Sequence, residues 1–100
     1  MNEEEQLELT LQAKGLDAPR LTPTLIDSAI VDEDYHVFPK TQMTVCCLTL
    51  RNGYVVTGEA ACVSPENFDA VIGRECSRKN AREKIWGLEA YLLKEQLSTT

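Results

Sequence analysis

The hydrophobic pattern changes period along this chain, and the changes mark its elements. Thr44 to Leu50 and Tyr54 to Ala60 are rich in β-branched and apolar residues and free of proline, which predicts two strands. Asn52-Gly53 between them is the strongest short hairpin signal, because a type I′ turn needs positive φ at both central positions. A two-residue turn pairs Leu50 with Val55, Leu48 with Thr57 and Cys46 with Glu59 on one face. The other face then carries Thr49 with Val56, Cys47 with Gly58 and Val45 with Ala60. Both faces are mostly apolar, so both are expected to be covered. A lone two-stranded sheet is marginal in water. The 7–11 segment, the long helix described next, or another subunit is expected to complete it.

From Ser64 onward the period lengthens to that of a helix. Ser64-Pro65-Glu66 reads as a cap with proline at the first helical position, where no hydrogen bond is lost. Phe68, Ile72 and Cys76, then Ala81, Ile85, Leu88 and Leu92, recur at three or four residues and predict an amphipathic helix to about Gln96. The stripe changes phase across Ser77-Arg78-Lys79-Asn80, and Gly73 and Gly87 weaken it, so a bend near 77–80 or 87 is expected. Trp86 and Tyr91 lie off the stripe and would widen it into a second contact surface.

Toward the front, Thr22-Pro23 signals another helix start, and Leu25, Ile26, Ala29 and Ile30 predict a short helix from about 23 to 33. Asp32, Glu33 and Asp34 sit where its dipole disfavours acids, so it should end there. Tyr35 to Pro39 then reads as an extended segment. Leu7, Leu9 and Leu11 alternate with polar residues and hint at a strand, but Gly15 and Pro19 break anything longer. The predicted organisation is an acidic, weakly ordered arm over 1–21, one α+β domain over 22–97 and a disordered tail over 98–100. The fold class is α+β: a hairpin-based antiparallel sheet packed against a long C-terminal helix, with a short N-terminal helix.

Charge narrows the choice of partner. The net charge is −6, and residues 1–35 hold nine acids against two bases, whereas residues 36–100 hold seven acids against eight bases. That balance argues against general duplex nucleic-acid binding, which needs a basic surface, and leaves room for a local anion site. No apolar run is long enough to span a bilayer, and no secretory signal opens the chain. The four cysteines include no C-x-x-C, and Cys46 and Cys47 point to opposite faces of a strand. They read as free thiols acting as small hydrophobes, and no metal site or cofactor is expected.

The candidate chemistry is a basic helix face. Arg74, Arg78 and Arg82 are spaced four apart and flanked by Lys79. Arginine forks suit phosphate or carboxylate, so this face is a candidate anion site, with Tyr35 or Phe38 from the extended loop stacking on a base. The competing reading is a solvated face whose bases pair with Asp69, Glu75 and Glu83, and aromatics that staple the loop to the core. His36 lies near Asp32 and Asp34 but has no defined nucleophile beside it, so no catalytic residue is assigned.

Leu48-Thr49-Leu50-Arg51-Asn52-Gly53-Tyr54, Val56 through Cys62, Ser64 through Ala70, Ile72-Gly73-Arg74 and the run from Asn80 to Leu93 resemble a family of small tailed-phage proteins, gene product 49-like. Ala18-Pro19-Arg20-Leu21-Thr22-Pro23 and Ile26 through Tyr35 resemble the front half of that family. The chain departs from it between Phe38 and Val45, where relatives often carry a longer insertion, and at Cys76-Ser77. The resemblance implies a phage or prophage origin and action in the bacterial host cytoplasm, and it implies no activity. By analogy, small acidic phage proteins counter host defences by sequestering nucleotide signals or by blocking host proteins. The expected function is therefore binding rather than catalysis: a homo-oligomer that sequesters an anionic, nucleotide-type immune signal. The alternative is a protein–protein inhibitor of a host defence or nucleic-acid-processing protein, contacting it through the arm 1–17 and the 23–34 segment.

Overall fold

A computed structural model describes residues 2–16 and 18–99. The elements run α1 (Glu3–Ala13), α2 (Pro23–Ser28), β1 (Ile30–Val37), β2 (Met43–Leu50), β3 (Val55–Ala61), a 3₁₀ turn (Pro65–Asn67) and α3 (Ala70–Ser98). The strands form one antiparallel sheet in the order β1-β2-β3, with α3 laid across one face. This is the α+β arrangement expected from the sequence, with one more strand. Residues 1, 17 and 100, at which the predicted arm and tail in part fall, lie outside the described residues.

The third strand joins the end of the segment predicted as a helix to 33 to the segment predicted as extended from Tyr35. α2 is capped by the Thr22 hydroxyl, which accepts from Leu25 N at 3.1 Å, and it ends at Ser28. Ile30, Val31, Tyr35 and Val37 are β-branched or aromatic and favour extended backbone over helix. β1 pairs Glu33 with Leu48, Tyr35 with Cys46 and Val37 with Thr44, after an irregularity at Val31. The leucines at 7, 9 and 11 lie instead in α1. Asn2 caps it, accepting from Glu5 N at 2.8 Å, and Glu3, Glu4 and Glu5 favour its positive end. Leucine, glutamate and glutamine are good helix formers, and here that preference outweighs a three-residue alternation.

The hairpin differs from the prediction by one residue. Leu50 N donates to Tyr54 O and Gly53 N donates to Leu50 O, each at 2.8 Å, so the loop is Arg51-Asn52-Gly53. Gly53 takes the left-handed conformation, with φ 88°. Asn52 is not at positive φ, and the turn is a three-residue loop of the kind that ends on such a glycine. Cys46 therefore pairs with Gly58 and Leu48 with Val56. One residue of slip exchanges the faces of β3. Val56 and Gly58 lie buried under α3, while Val55, Thr57 and Glu59 face outward and are exposed.

The core is small. Ile26, Ala29, Cys46, Leu48, Leu50, Val56, Ala81 and Ile85 are buried together, with Leu21, Ile30, Tyr35 and Trp86 packed around them. Of the predicted stripe, only Ala81 and Ile85 are buried against the sheet. Ile72 and Cys76 are exposed, and the contacting row is Gly73, Ser77, Ala81 and Ile85. Small residues occupy it because the backbones approach closely: a Cβ on Gly58 would lie 2.2 Å from Ala81 N, and one on Gly73 2.6 Å from Thr44 Oγ1. Thr44 Oγ1 is buried and has no hydrogen-bond partner among the described residues; the Gly73 backbone is its close neighbour. α3 itself starts at Ala70, capped by Asp69, and runs unbroken to Ser98; Ser64-Pro65-Glu66 opens only the preceding 3₁₀ turn.

Candidate functional site

The arginine row projects from α3 toward β1, α2 and α1. Arg82 is the most fully paired of the three. Its Nη1 and Nη2 donate to the two Glu4 oxygens at 2.7 and 3.2 Å, and its Nε donates to Asp27 at 2.8 Å. Arg78 Nε donates to Glu33 at 3.3 Å. The sequence suggested partners on or beside the helix, Asp69, Glu75 and Glu83. The acids that arrive come from other elements, because the row faces the β1 side of the domain. Arg74 and Lys79 are exposed and have no ion pair among the described residues.

Tyr35 and Arg78 are brought together through one carboxylate. The Tyr35 hydroxyl donates to Glu33 Oε2, while Arg78 holds Glu33 Oε1. The Tyr35 hydroxyl and Arg78 draw the Glu33 carboxyl below its usual range. Burial first, and the Glu33 bond second, push the Tyr35 phenol upward. Burial likewise pushes the Cys46 thiol up. Phe38 is not part of this group. Its ring meets His36 edge-on, with centroids 4.6 Å apart, and His36 pairs across from Val45 on the opposite face of the sheet. Of the candidate anion-site residues, the structure joins Arg78 to Tyr35, ties Arg82 to acids, leaves Arg74 and Lys79 in solvent and puts Phe38 elsewhere.

That opposite face is the feature the sequence did not reveal. Strand alternation assigns Asp32, Asp34 and His36 of β1, Met43, Val45, Cys47 and Thr49 of β2, and Val55, Thr57 and Glu59 of β3 to the side away from α3. Val45, Cys47 and Thr49 are half-buried by their neighbours alone, and Val55 is exposed. The result is an apolar centre with acids on both flanks. Asp32 and Asp34 have a second role at the edge: each carboxylate accepts from the following backbone N–H, of Glu33 and Tyr35, at 2.9 Å. Those amides are thereby kept from pairing with a foreign strand. The alternation Val55, Thr57, Glu59 against Val56, Gly58, Ala60 was the legible sign of an uncovered face.

Comparison with protein families settles the origin of the chain. A family model matches residues 21–97, which is the whole sheet and nearly all of α3. The chain belongs to the phage protein (N4 Gp49/phage Sf6 gene 66) family. Neither the curated proteins nor the solved structures contain a match. Among the described residues, no helix is long and apolar enough to cross a membrane, and no three His, Cys, Asp or Glu side chains gather as a metal site.

Proposed function

We propose that this phage accessory protein acts by binding, and that its target is a basic surface on a host protein. The observation that carries the reading is the uncovered sheet face: Val45, Cys47 and Val55 form an apolar centre, and Asp32, Asp34 and Glu59 supply an acidic rim. An apolar centre within a polar rim is the usual anatomy of a protein interface. A rim of one charge speeds encounter with a partner of the other and disfavours nucleic acid. Blocking such a host protein, in defence or in nucleic-acid processing, is the role that fits a small acidic phage protein.

The same geometry lowers the rank of nucleotide sequestration at the arginine row. A phosphate arriving at Arg82 has to displace Glu4 and Asp27, which already occupy its fork. Exposed Arg74 and Lys79 keep that second reading in play, because they are the bases free to meet an anion.

The test compares the natural chain with the Asp32→Lys, Asp34→Lys variant, each carrying a photo-crosslinker at position 47, in host lysate at low and high salt. A discrete host protein crosslinked only by the natural chain, and lost at high salt, supports the reading. Equal crosslinking by the charge-reversed variant, or none by either, overturns it. Native mass spectrometry after exposure to cyclic nucleotides and ADP-ribose compounds decides the second reading: a retained mass abolished by Arg74→Glu with Lys79→Glu would establish it.

A further inference from the structure

The C-terminal third of α3 carries a surface that the domain covers only in part. At about 1.5 Å per residue the helix is ~43 Å long, whereas β3 at about 3.3 Å per residue spans only ~23 Å. Beyond Ile85 the helix meets, of the sheet, only the end of the hairpin, where Leu88, Glu89 and Leu92 lie beside Leu50 and Arg51. Its outer side there shows Leu88, 40 % exposed, Tyr91, 73 %, and Leu92, 43 %. Tyr54 from the hairpin end lines the same hollow as Leu88 and Leu92. Lys84 and Glu95 bracket the patch, exposed, and neither has an ion pair among the described residues.

Lys84, Leu88, Tyr91 and Glu95 are spaced four, three and four, which is the seam spacing of a coiled coil. Gly87 lies beside this seam. A Cβ there would meet nothing within 4 Å, so the chain's own packing gives no reason for glycine in mid-helix.

We infer that α3 pairs antiparallel with α3 of a second copy of this chain. A two-fold axis midway between positions 88 and 91 sets Leu88 against Tyr91 of the second copy. The same axis sets Lys84 against Glu95 of the second copy, twice by symmetry. Each apolar seam residue meets an apolar one, and each charge meets its opposite. A parallel pairing would place Lys84 beside Lys84 and Glu95 beside Glu95, so the charges select the antiparallel register. The interface is isologous, as closed dimers require. Its seam is short, so the dimer forms reversibly and depends on concentration. It uses a different face from the proposed host contact, and either can fail alone.

Sedimentation velocity of the full chain, from low micromolar to millimolar concentration, provides the test. The expected result is a concentration-dependent dimer. Leu88→Glu should be monomeric throughout, with an unchanged far-UV circular dichroism spectrum. Lys84→Glu and Glu95→Lys should each weaken association about tenfold, and their combination should restore it. A natural chain that stays monomeric overturns the inference, including the case in which a host protein covers this helix instead. A dimer indifferent to Leu88→Glu, or a double charge swap no better than the single ones, overturns it too.

Discussion

Gly58 on β3 and Ala81 on α3 approach so closely that the helix rests on the bare strand: a Cβ at position 58 would fall 2.2 Å from Ala81 N, 2.5 Å from Ser77 O and 2.8 Å from Ala81 Cα. All three atoms are backbone, so no side-chain rotation can relieve the clash. Gly58→Ala must lift α3 from the sheet over the centre of the core. The expected cost is about 2–3 kcal/mol, toward the upper end for overpacking. Urea unfolding of the two proteins checks this, and an unchanged midpoint would show that the helix is free to shift. Gly87→Ala, at an open position of the same helix, should instead stabilise the monomer by up to about 1 kcal/mol.

The same approach explains why parts of the fold were legible and others not. Caps and turn residues are local chemistry, so Thr22-Pro23, a hairpin turn at Gly53 and the presence of the long helix could be read directly, whereas the length of the turn, and with it the faces of β3, could not. The contacting row of α3 was legible only at Ala81 and Ile85; before them, Ile72 and Cys76 at helical spacing point to a different stripe. Close packing there selects Gly73 and Ser77, which carry almost no hydrophobic signal. The first half of β1 was hidden because acids at 32–34 suggest a frayed helix end, whereas their alternation on an exposed edge is what the strand uses; from Tyr35 on the extended backbone was read directly. The arginine row is legible in the sequence, but its partners lie 45 to 78 residues away along the chain, beyond any local pattern.

α1 is held to the domain in an unusual way. None of its residues is buried, and its side-chain bonds to the rest of the chain are Glu4 with Arg82 and Glu8 with Arg20, among the described residues. Attachment by charge rather than by apolar burial is weak and salt-sensitive. Glu4→Gln with Glu8→Gln should raise the hydrogen-exchange rates of the α1 amides roughly tenfold while leaving the global unfolding midpoint almost unchanged. High salt should do the same to the natural chain. Equal loss of protection throughout the domain would show that α1 belongs to the cooperative core.

The Glu33 and Tyr35 pair sets the pH limits of stability. Glu33 is held below its ordinary 4.5, first by the Tyr35 hydroxyl. Its contribution is present above the unfolded carboxylate pKa and is lost as pH falls through the folded value. Tyr35 lies above its ordinary 10.0, and Cys46 above its ordinary 9.0, each chiefly through burial. Their contributions are complete below those unfolded values and are lost as pH rises through the folded ones. Stability should therefore plateau from roughly pH 5 to 9 and decline on both sides. Tyr35→Phe should flatten both limbs in part, because Arg78 still holds Glu33 on the acidic side and buried Cys46 still titrates on the alkaline side. Denaturant midpoints across the pH range provide the check, and a variant curve parallel to the natural one would exclude the pair as the cause.

The four thiols report on different faces of the molecule and so can test the binding surface whatever the partner's identity. Cys46 is buried, Cys47 and Cys62 are half-buried, and Cys76 is exposed on α3. Thiolate availability and access together govern alkylation. Cys76 should react first and Cys46 only when the domain opens, at a rate that tracks global stability. Cys47 sits at the centre of the uncovered sheet face, between Val45 and Thr49. A partner seated on that face should slow Cys47 alkylation in proportion to its occupancy and leave Cys76 unchanged. Mass spectrometry of labelled peptides resolves all the sites at once. Protection of Cys76 with Cys47 still reactive would place the partner on the flank of α3 beside Ala60, Cys62 and Phe68, and would move the proposed interface there.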